Sequence, residues 1–388
     1  MHSRDVKDHH GGRSPLLWLT SDHRREPAGD QVLIVVTLLL LAVGITMMYS
    51  SSNYLANEKY GDAEFFLNRQ AMWIAVGLIL LYTLSHFQHR YWKNVVGPLL
   101  CLGIALFAVL LFSPLGAPIN GSRRWLQLGV MTIQPSEIIK LILVIYLACY
   151  LAGREERMQN FVSGPLPAVL VVAVFVGLIF QEPDLGTAVV IIIVTGSMLF
   201  IGGVSFRHLA GFSIVALAVC VYRVTQNAYQ RQRVLTFLNP GDNPMSSGFQ
   251  SKQSAIAIGN GGIWGLGLGE GHQKRLFLPE SHTDFIFAVL AEELGLIGGM
   301  LTLALYGLLV WRGFRIAWRS DDSLGFYLAY GITCLFVVQV LINVGVVSGV
   351  LPTKGLTLPF LSYGGSSLVM NLAAIGMLIS ISRVQGRT

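Results

Sequence analysis

The chain has 388 residues, of which 53% are hydrophobic and only 12% are charged, and its mean hydropathy is +0.60. Soluble domains carry roughly 25% charged residues, so this composition excludes an ordinary soluble protein and predicts a polytopic membrane protein. The formal net charge of +6 does not indicate nucleic-acid binding. The basic residues are scattered in short runs between apolar segments, where they serve to orient membrane helices.

The first thirty residues are polar, mixed in charge and rich in His. They lack the early apolar run and small-residue cleavage site of a signal peptide. We therefore predict that residues 1–30 form a disordered cytoplasmic tail and that the first membrane helix is an uncleaved anchor.

Ten later segments are apolar and approach the length of about 20 residues that a spanning helix needs. They are residues 32–49, 71–86, 95–112, 133–151, 166–180, 185–201, 209–222, 285–311, 324–347 and 358–381. The segment 209–222 is the weakest, because it is short for a span. The pattern predicts an all-α membrane domain over residues 31–385, with ten transmembrane helices. A large extracytoplasmic loop, residues 224–283, would separate helices 7 and 8.

The distribution of Lys and Arg predicts the orientation of these helices. One set of short connections holds ten basic residues and the opposite set holds five. The richer set is expected to be cytoplasmic, which places both termini inside and the long loop outside.

Asp284 is the leading candidate for a functional residue. It ends the long loop and directly precedes the apolar segment 285–311. A carboxylate at the mouth of a membrane helix is expensive to desolvate, so its presence indicates a function at the membrane surface. Glu280, His282 and Thr283 belong to the same short run and are candidate supporting residues.

Two ionisable residues open the fourth predicted span. Glu137 and Lys140 are three residues apart and therefore share one helix face. Such residues are rare within membrane helices and usually face the protein interior or a wet cavity. The pair has two interpretations, a buried structural ion pair or part of a cavity beneath the active face.

Several charged residues of the predicted outer connections also have two interpretations. Arg124 is either solvated or a bidentate clamp for phosphate. Arg233 lies in the amphipathic stretch 229–240, which either anchors at the interface or meets a headgroup or pyrophosphate. Asp184 is well placed to cap the next helix, and capping alone would explain it. A purely structural interpretation fits Lys354 less well, because Lys354 is the only charged residue between Asp322 and Arg383.

Two small-residue stretches have mainly structural interpretations. Ser366 and Ser367 belong to a Gly-Gly-Ser-Ser run that permits close helix packing. The glycine-rich stretch 259–271 matches nucleotide-loop patterns, but no strand or βαβ unit surrounds it. Its glycines are expected to allow close backbone approach and tight turns, although a mobile segment that covers a substrate is an alternative.

Four of these runs, taken in order, resemble the SEDS family (shape, elongation, division and sporulation). They are residues 134–140 (QPSEIIK), 181–186 (QEPDLG), 279–287 (PESHTDFIF) and 358–367 (LPFLSYGGSS). The resemblance covers about residues 30–385. It implies ten membrane helices, a large extracellular loop between the seventh and eighth, and peptidoglycan glycosyltransferase activity on lipid II. Lys354 and the polar N-terminal extension resemble the division (FtsW) branch more than the elongation (RodA) or sporulation branch.

The resemblance also implies roles for single residues. Asp284 matches the essential aspartate of the family, and the hypothesis is that it acts as general base in an inverting transfer that forms a β-1,4 link. Arg124, Lys354 and, behind them, Arg233 would stabilise the leaving pyrophosphate. No cofactor is required by this scheme, although a divalent cation (Mg or Mn) could share the charge. Burial would raise the pKa of Asp284 and a nearby cation would lower it, and the sequence leaves this balance open.

The partners implied by the resemblance are lipid II and the growing glycan on undecaprenyl pyrophosphate. They also include a class B penicillin-binding protein, the FtsI-type transpeptidase, and the FtsQ–FtsL–FtsB complex. The expected location is the bacterial cytoplasmic (inner) membrane at the division septum. A lipid II flippase would need functional charges at mid-depth and on both faces, and a non-catalytic division scaffold would need no base. The candidate charges cluster mostly on the predicted outer side, which favours the transferase.

Overall fold

The computed structural model describes residues 29–116, 123–129, 131–182, 184–238, 247–274 and 278–385. All but the last two residues of the predicted N-terminal tail, 1–30, therefore lie outside the described residues. The described residues are mainly helical. The predicted class, an all-α membrane protein, is confirmed apart from one small β-hairpin.

The described residues form twelve α-helices and two short strands. The helices are α1 Gln31–Tyr60, α2 Phe65–His86, α3 Trp92–Phe112, α4 Pro135–Ala152, α5 Pro165–Ile179, α6 Leu185–Ile201, α7 Phe206–Gln226, α8 Ala228–Leu238, α9 Ser247–Gly261, α10 Ile286–Trp318, α11 Ser323–Val347 and α12 Gly365–Gln385. The strands β1 Leu126–Leu128 and β2 Met131–Ile133 pair antiparallel and precede α4 directly.

Each of the ten predicted apolar segments overlaps one of these helices. Eight helices are long and apolar enough to cross a membrane, whereas the apolar helices α5 and α6 have only 15 and 17 residues. The class of integral membrane protein is thus established, and the count of ten spans stays a prediction.

The seventh predicted span, the weakest of the ten because its apolar segment is short, is longer in the structure than the sequence indicated. α7 has 21 residues and extends the apolar core 209–222 at both ends. The added turns carry polar residues such as Arg207 and Arg223. These residues end the apolar stretch of the sequence, but the helix continues through them. None of the residues of α7 is buried, so this helix lies at the periphery.

The last predicted span begins later than expected, at Gly365 rather than at residue 358. Pro359 and Phe360 interrupt the start, and Phe360 has a left-handed φ of 68°. The Ser362 hydroxyl accepts a hydrogen bond from the backbone amide of Leu358 over 2.8 Å. This irregular segment supplies one wall of the candidate site described below.

The glycine-rich stretch 259–271 packs directly on α10. The backbone amides of Leu266 and Gly267 donate to the carbonyl oxygens of Glu292 and Glu293 over 3.1 and 3.0 Å. A β-carbon at Gly265, where φ is +83°, would lie 2.2 Å from the Glu293 carbonyl oxygen. The glycines therefore permit close backbone approach, and these bonds argue against a mobile covering segment.

Candidate active site

The candidate site lies at one end of the helix bundle. Its parts are the turn before α10, the chain between α11 and α12, helix α8, and the segments that precede α4 and α6. Because consecutive spans alternate in direction, connections that follow α3, α5, α7 and α11 meet at the same end. Residues scattered from 124 to 363 are thereby brought together.

Asp284 lies on a tightly held turn. The backbone amides of Thr283 and Phe285 donate to the Glu280 carbonyl oxygen over 3.2 and 3.3 Å, and Glu280 has a left-handed φ of 57°. The Asn343 side-chain amide of α11 donates to the Asp284 carbonyl oxygen over 2.9 Å. These bonds fix the backbone from which the carboxylate projects.

The chain between α11 and α12 lies against the Asp284 carboxylate. A β-carbon at Gly355 would be 2.8 Å from Asp284 Oδ2, so a larger residue there would collide with the carboxylate. Asn343 binds this chain too, because its amide donates to the Leu356 carbonyl oxygen over 2.7 Å. One side chain thus sets the spacing between Asp284 and the segment that faces it.

Burial raises the pKa of Asp284 to about 7 and is the largest influence on it. The neighbouring carboxylates Glu280 and Asp184 raise this pKa further, whereas the guanidinium groups of Arg233 and Arg124 lower it. Burial outweighs the two cations, which answers the question that the sequence left open. A carboxylate with a pKa near neutrality is suited to general-base work.

A cation-lined cavity, here called the proximal pocket, reaches the backbone beside Asp284. It contains about 460 Å³ of space, part of it open solvent. Its charged lining residues are Arg124, Asp184, Arg233 and Lys354, and Gly355 connects it to Asp284. The three predicted pyrophosphate-binding residues therefore share one cavity.

The two arginines are positioned by backbone oxygens. Arg124 Nε donates to the Glu182 carbonyl oxygen over 2.8 Å. Arg233 donates to the Thr353 carbonyl oxygen over 3.1 Å and to the Tyr229 hydroxyl, and its guanidinium lies 4.5 Å from the centre of the Tyr229 ring. None of these three bonds neutralises a guanidinium charge, because all three acceptors are uncharged.

Lys354 is half-buried in the same pocket. Burial lowers its pKa, whereas the nearby Asp184 carboxylate raises it. Asp184 also caps α6, since its carboxylate accepts from the Thr187 backbone amide and hydroxyl over 3.0 and 2.8 Å. The capping interpretation of Asp184 is confirmed, and the same side chain lines the proximal pocket.

Glu137 and Lys140 form a buried ion pair with 2.8 Å between Oε1 and Nζ. Both side chains are buried on α4, so the pair is a buried ion pair, and a role as part of a cavity beneath the active face stays a prediction. Neither residue lines the proximal pocket. Lys140 instead faces a small cavity with Thr195 and apolar side chains of α4, α6 and α11.

The residues around Asp284 shape its turn. His282 is buried, with its ring centre 5.0 Å from that of Phe66 and 5.8 Å from that of Tyr363, and burial lowers its pKa. Thr283 Oγ1 donates to the Glu280 carboxylate over 3.0 Å. These contacts place His282, Thr283 and Glu280 next to Asp284 without making them part of the pocket lining.

Ser366 and Ser367 begin α12 and hold its first turn in place. Ser366 Oγ accepts from the Gln134 backbone amide over 3.0 Å, and Ser367 Oγ lies 2.8 Å from Thr357 Oγ1. Both serines connect α12 to neighbouring segments, and neither lines the proximal pocket.

Sequence reasoning missed three residues of this site. Gly355 and Asn343 contact Asp284, and Glu182 is fully buried behind Arg124. Burial, followed by the Asp184 carboxylate, raises the pKa of Glu182 to about 9. The sequence could have indicated Asn343, because a polar amide inside an apolar span usually has a buried partner. No sequence feature indicated Gly355.

Within the described residues, no group of three or more His, Cys, Asp or Glu side chains is arranged to hold a metal ion. Among the described residues, the charged lining of the proximal pocket consists of three cations, Arg124, Arg233 and Lys354, and one carboxylate, Asp184. These three cations supply positive charge to the pocket.

The fold and the site define an integral membrane protein. Its cation-lined pocket lies beside Asp284, a carboxyl group whose pKa is raised to about 7. The sequence profile of the FtsW–RodA–SpoVE family, described as cell cycle protein, matches residues 30–386. The chain belongs to this family, which confirms the resemblance of its motifs to the SEDS proteins.

Named relatives cover nearly the whole chain. Stage V sporulation protein E of Bacillus subtilis is 40% identical over 359 residues, which are 92% of this chain and 98% of that protein. The "Probable peptidoglycan glycosyltransferase FtsW" of Geobacter sp. strain M18 is 40% identical over 365 residues, 94% of this chain and 99% of that protein. The likewise named protein of Coxiella burnetii is 41% identical over 356 residues, 91% of this chain and 96% of that protein.

Two solved structures share the fold. One is described as "Structural coordination of polymerization and crosslinking by a peptidoglycan synthase complex". Its matching chain has a TM-score of 0.75 and 32% identity, with coverage of 93% of this chain and 100% of that one. The other is the Rod shape determining protein RodA of Thermus thermophilus, with a TM-score of 0.69, 30% identity and coverage of 92% and 98%.

Proposed function

We propose that the protein is a peptidoglycan glycosyltransferase that polymerises lipid II into β-1,4-linked glycan. The observation that carries this proposal is the position of the Asp284 carboxylate against Gly355, beside a pocket lined by Arg124, Arg233 and Lys354. Burial, which raises the pKa of Asp284 to about 7, supports its role as a base. A base next to clustered cations suits the attack of a hydroxyl on a carbon that bears a diphosphate leaving group. Relatives named peptidoglycan glycosyltransferase support the same reaction class.

In the proposed step, Asp284 takes the proton from the 4-hydroxyl of the N-acetylglucosamine of the acceptor lipid II. The oxygen attacks the anomeric carbon of the donor's N-acetylmuramic acid as the bond to the diphosphate breaks. Undecaprenyl pyrophosphate leaves with the bonding electrons, and the anomeric centre inverts. General-base assistance of this kind typically accelerates a reaction by about 10²–10⁴-fold.

Arg124, Arg233 and Lys354 would stabilise the negative charge that develops on the leaving diphosphate. Preorganised cations in a partly desolvated site are more effective than cations in water, because they need no reorientation during the reaction. Their backbone acceptors hold the arginines in place before substrate binds. A divalent cation (Mg or Mn) could share this charge, but every step proposed here rests on side chains of this chain.

The proposed setting is the bacterial cytoplasmic (inner) membrane, with the Asp284 end outside and both termini inside. The basic-residue asymmetry supports this orientation. We further propose action at the division septum with a class B penicillin-binding protein of the FtsI type and the FtsQ–FtsL–FtsB complex. The likeness to a chain of a peptidoglycan synthase complex supports a transpeptidase partner.

Relatives of the division and sporulation branches are about equally identical to this chain, and the elongation protein RodA shares its fold. Lys354 and the N-terminal extension favour the division branch over a RodA-type elongation role. A flippase would be expected to expose charges along a path, whereas Glu137 and Lys140 neutralise each other between buried helices. A scaffold without catalysis would have no need for a base beside three cations.

The test uses purified full-length protein, alone and with a co-purified class B transpeptidase, and labelled lipid II. Asp284→Asn is expected to lower the rate of glycan formation by about 10²–10⁴-fold. Asp62→Asn is a matched control, since Asp62 is exposed in the connection between α1 and α2. Normal polymerisation by Asp284→Asn would overturn the assignment of the base. Lipid II flipping without polymerisation would favour the transporter instead.

A further inference from the structure

The glycine-rich stretch 259–271 carries an exposed apolar surface that the candidate site does not use. Ile263, Trp264, Leu266 and Leu268 are 60%, 82%, 40% and 58% exposed, and these four side chains are here called the apolar tip. Single exposed apolar residues are common, but neighbouring ones usually mark a surface that contacts a partner or a membrane. The level of the tip along the membrane helices indicates which of these it contacts.

The tip is bonded to a break in α10. Gly295, with a φ of 67° and a ψ of −167°, interrupts this helix. The amides of Leu296 and Ile297, which follow the break, donate to the carbonyl oxygens of Gly262 and Ile263 over 2.9 and 3.3 Å. Two amides of the stretch bond to carbonyl oxygens before the break, as described above. The tip therefore has a fixed level along α10.

Two polar pairs give a scale for depth in the membrane. Asp30, which precedes α1, pairs with Arg312 of α10 with 2.8 Å between Oδ2 and Nε. At the other end of these helices, the Ser50 hydroxyl of α1 donates to the Glu293 carboxylate of α10 over 2.8 Å. No charged residue lies between Asp30 and Ser50 on α1, or between Glu293 and Arg312 on α10.

The distance between these two pairs matches a bilayer. Asp30 and Ser50 are 20 residues apart, which corresponds to about 30 Å of helix. Glu293 and Arg312 are 19 residues apart, which corresponds to about 28 Å. The hydrocarbon core of a bilayer is about 30 Å thick. Each pair therefore lies near one boundary of the hydrocarbon core, and Glu293 marks the boundary at the Asp284 end.

The apolar tip lies at this boundary. The backbone of Ile263 bonds to α10 about one helical turn past Glu293, toward the hydrocarbon core. Trp264 follows directly, and tryptophan prefers the zone between headgroups and acyl chains. Leu296, whose amide bonds to the stretch, and Met300, one turn further, are exposed and continue this apolar surface toward the membrane centre.

We infer that the apolar tip inserts into the membrane leaflet at the Asp284 end, where Ile263 and Trp264 contact phospholipid acyl chains just below the headgroups. The glycine-rich stretch is then an interfacial membrane anchor and not a loop in water. Because the stretch is bonded on both sides of the α10 break, insertion of the tip also fixes the first half of α10. That half begins at Ile286, two residues after Asp284, so the lipid positions the turn that carries the carboxylate.

The first test locates Trp264 by fluorescence quenching in full-length protein reconstituted into phosphatidylcholine vesicles. The Trp264 emission is the difference between unmodified protein and Trp264→Phe. Bromine atoms on the upper part of the acyl chains should remove most of this emission, whereas bromine atoms near the chain ends should remove less. Iodide in the water should remove little. Trp73→Phe is the matched control, because Trp73 is buried against Gly365 and its emission should respond to none of these quenchers.

Quenching of the Trp264 emission by iodide, without quenching by brominated lipid, would place the tip in water and overturn the inference. Repeating the measurement with a co-purified class B transpeptidase distinguishes lipid from a protein partner. Bromine quenching should persist in this complex. Its loss, together with protection from iodide, would assign the tip to the partner and overturn the assignment to lipid.

A second test measures whether lipid positions α10. Ile263→Asn combined with Trp264→Asn removes two apolar side chains of the tip. Hydrogen exchange of the Leu296 amide in vesicles should then rise about 10-fold or more, since this amide bonds to the stretch beside the tip. Ile263→Val combined with Trp264→Phe keeps the tip apolar and should leave exchange unchanged.

Equal exchange in the two double variants would show that bonds within the protein alone hold the break, and would overturn the positioning role of the lipid. Neither readout depends on enzymatic activity, so this inference and the proposed function fail separately.

Discussion

The side-chain amide of Asn343 donates a hydrogen bond to the main-chain oxygen of Asp284 over 2.9 Å. The same nitrogen donates to the Leu356 carbonyl oxygen over 2.7 Å. A residue near the end of α11 thereby fixes both the turn that carries the carboxylate and the segment that faces it. Asn343 is a positioning residue in this arrangement, since it does not line the proximal pocket.

Replacing Asn343 with Ala should lower kcat by about 10–100-fold with little change in KM, because small misplacement of a catalytic group can lower a rate 10²-fold. Steady-state polymerisation of labelled lipid II measures both constants. Gln339→Ala is the control, as Gln339 is a buried amide one turn earlier on α11. Equal turnover in the two variants would contradict the positioning role.

The pKa of Asp284 predicts a pH dependence. With a pKa of about 7, Asp284 is protonated and inactive as a base at lower pH, so the rate should rise through pH 7 to a plateau. Glu280 raises this pKa, and Glu280→Gln should therefore move the midpoint to lower pH. The midpoint is read from kcat/KM at several pH values, because this ratio reports the pKa of the substrate-free protein.

Glu64→Gln serves as the control for this shift, because Glu64 is an exposed carboxylate between α1 and α2. Its midpoint should match that of the unmodified protein. A midpoint of Glu280→Gln that stays in place or moves upward would contradict the assignment of the titrating group to Asp284.

Glu182 is fully buried, and its pKa is raised to about 9 by burial and by Asp184. The side chain is therefore a neutral acid at pH 7, and Gln has nearly the same shape. Glu182→Gln should retain activity and melting temperature at pH 7, whereas Glu182→Ala should destabilise the protein by leaving a cavity. A large loss of activity in Glu182→Gln would show that a carboxyl proton or charge is needed there.

A buried ion pair that sequence patterns did not reveal joins Lys274, just after the glycine-rich stretch, to Glu293 of α10. Lys274 Nζ lies 2.6 Å from Glu293 Oε1, and both side chains are buried. Removing one partner leaves an uncompensated buried charge, so Lys274→Met or Glu293→Gln should lower the free energy of unfolding by about 3–5 kcal/mol. The double variant should lose less than the sum of the two.

Thermal unfolding in detergent measures this coupling as a double-mutant cycle. Glu270→Gln on the same stretch is the control, because Glu270 is exposed. Hydrogen exchange of the amides that bond to α10, such as Leu266, should increase in the single variants. Additive losses with unchanged exchange would show that the pair does not hold this stretch.

The helices themselves were predictable, because a bilayer imposes a length and a polarity that a local apolar segment reveals. The alternation of spans also predicted that Arg124, Asp184 and Lys354 meet at one end. The errors fell at helix ends, at α7 and at the start of α12, where polar residues or Pro359 obscure the boundary. Such ends depend on side-chain and turn bonds rather than on hydropathy.

From its sequence the protein is recognisable as a polytopic membrane protein of a peptidoglycan-synthesis family with an unusual carboxylate at Asp284. Those features are local, since composition, spacing and motifs are properties of short segments. Three other features are not local. They are the balance of burial against Arg124 and Arg233 that sets the pKa of Asp284, the fit of Gly355 against its carboxylate, and the gathering of three cations in one pocket. They depend on which distant segments pack over which charge, and only the tertiary structure decides that.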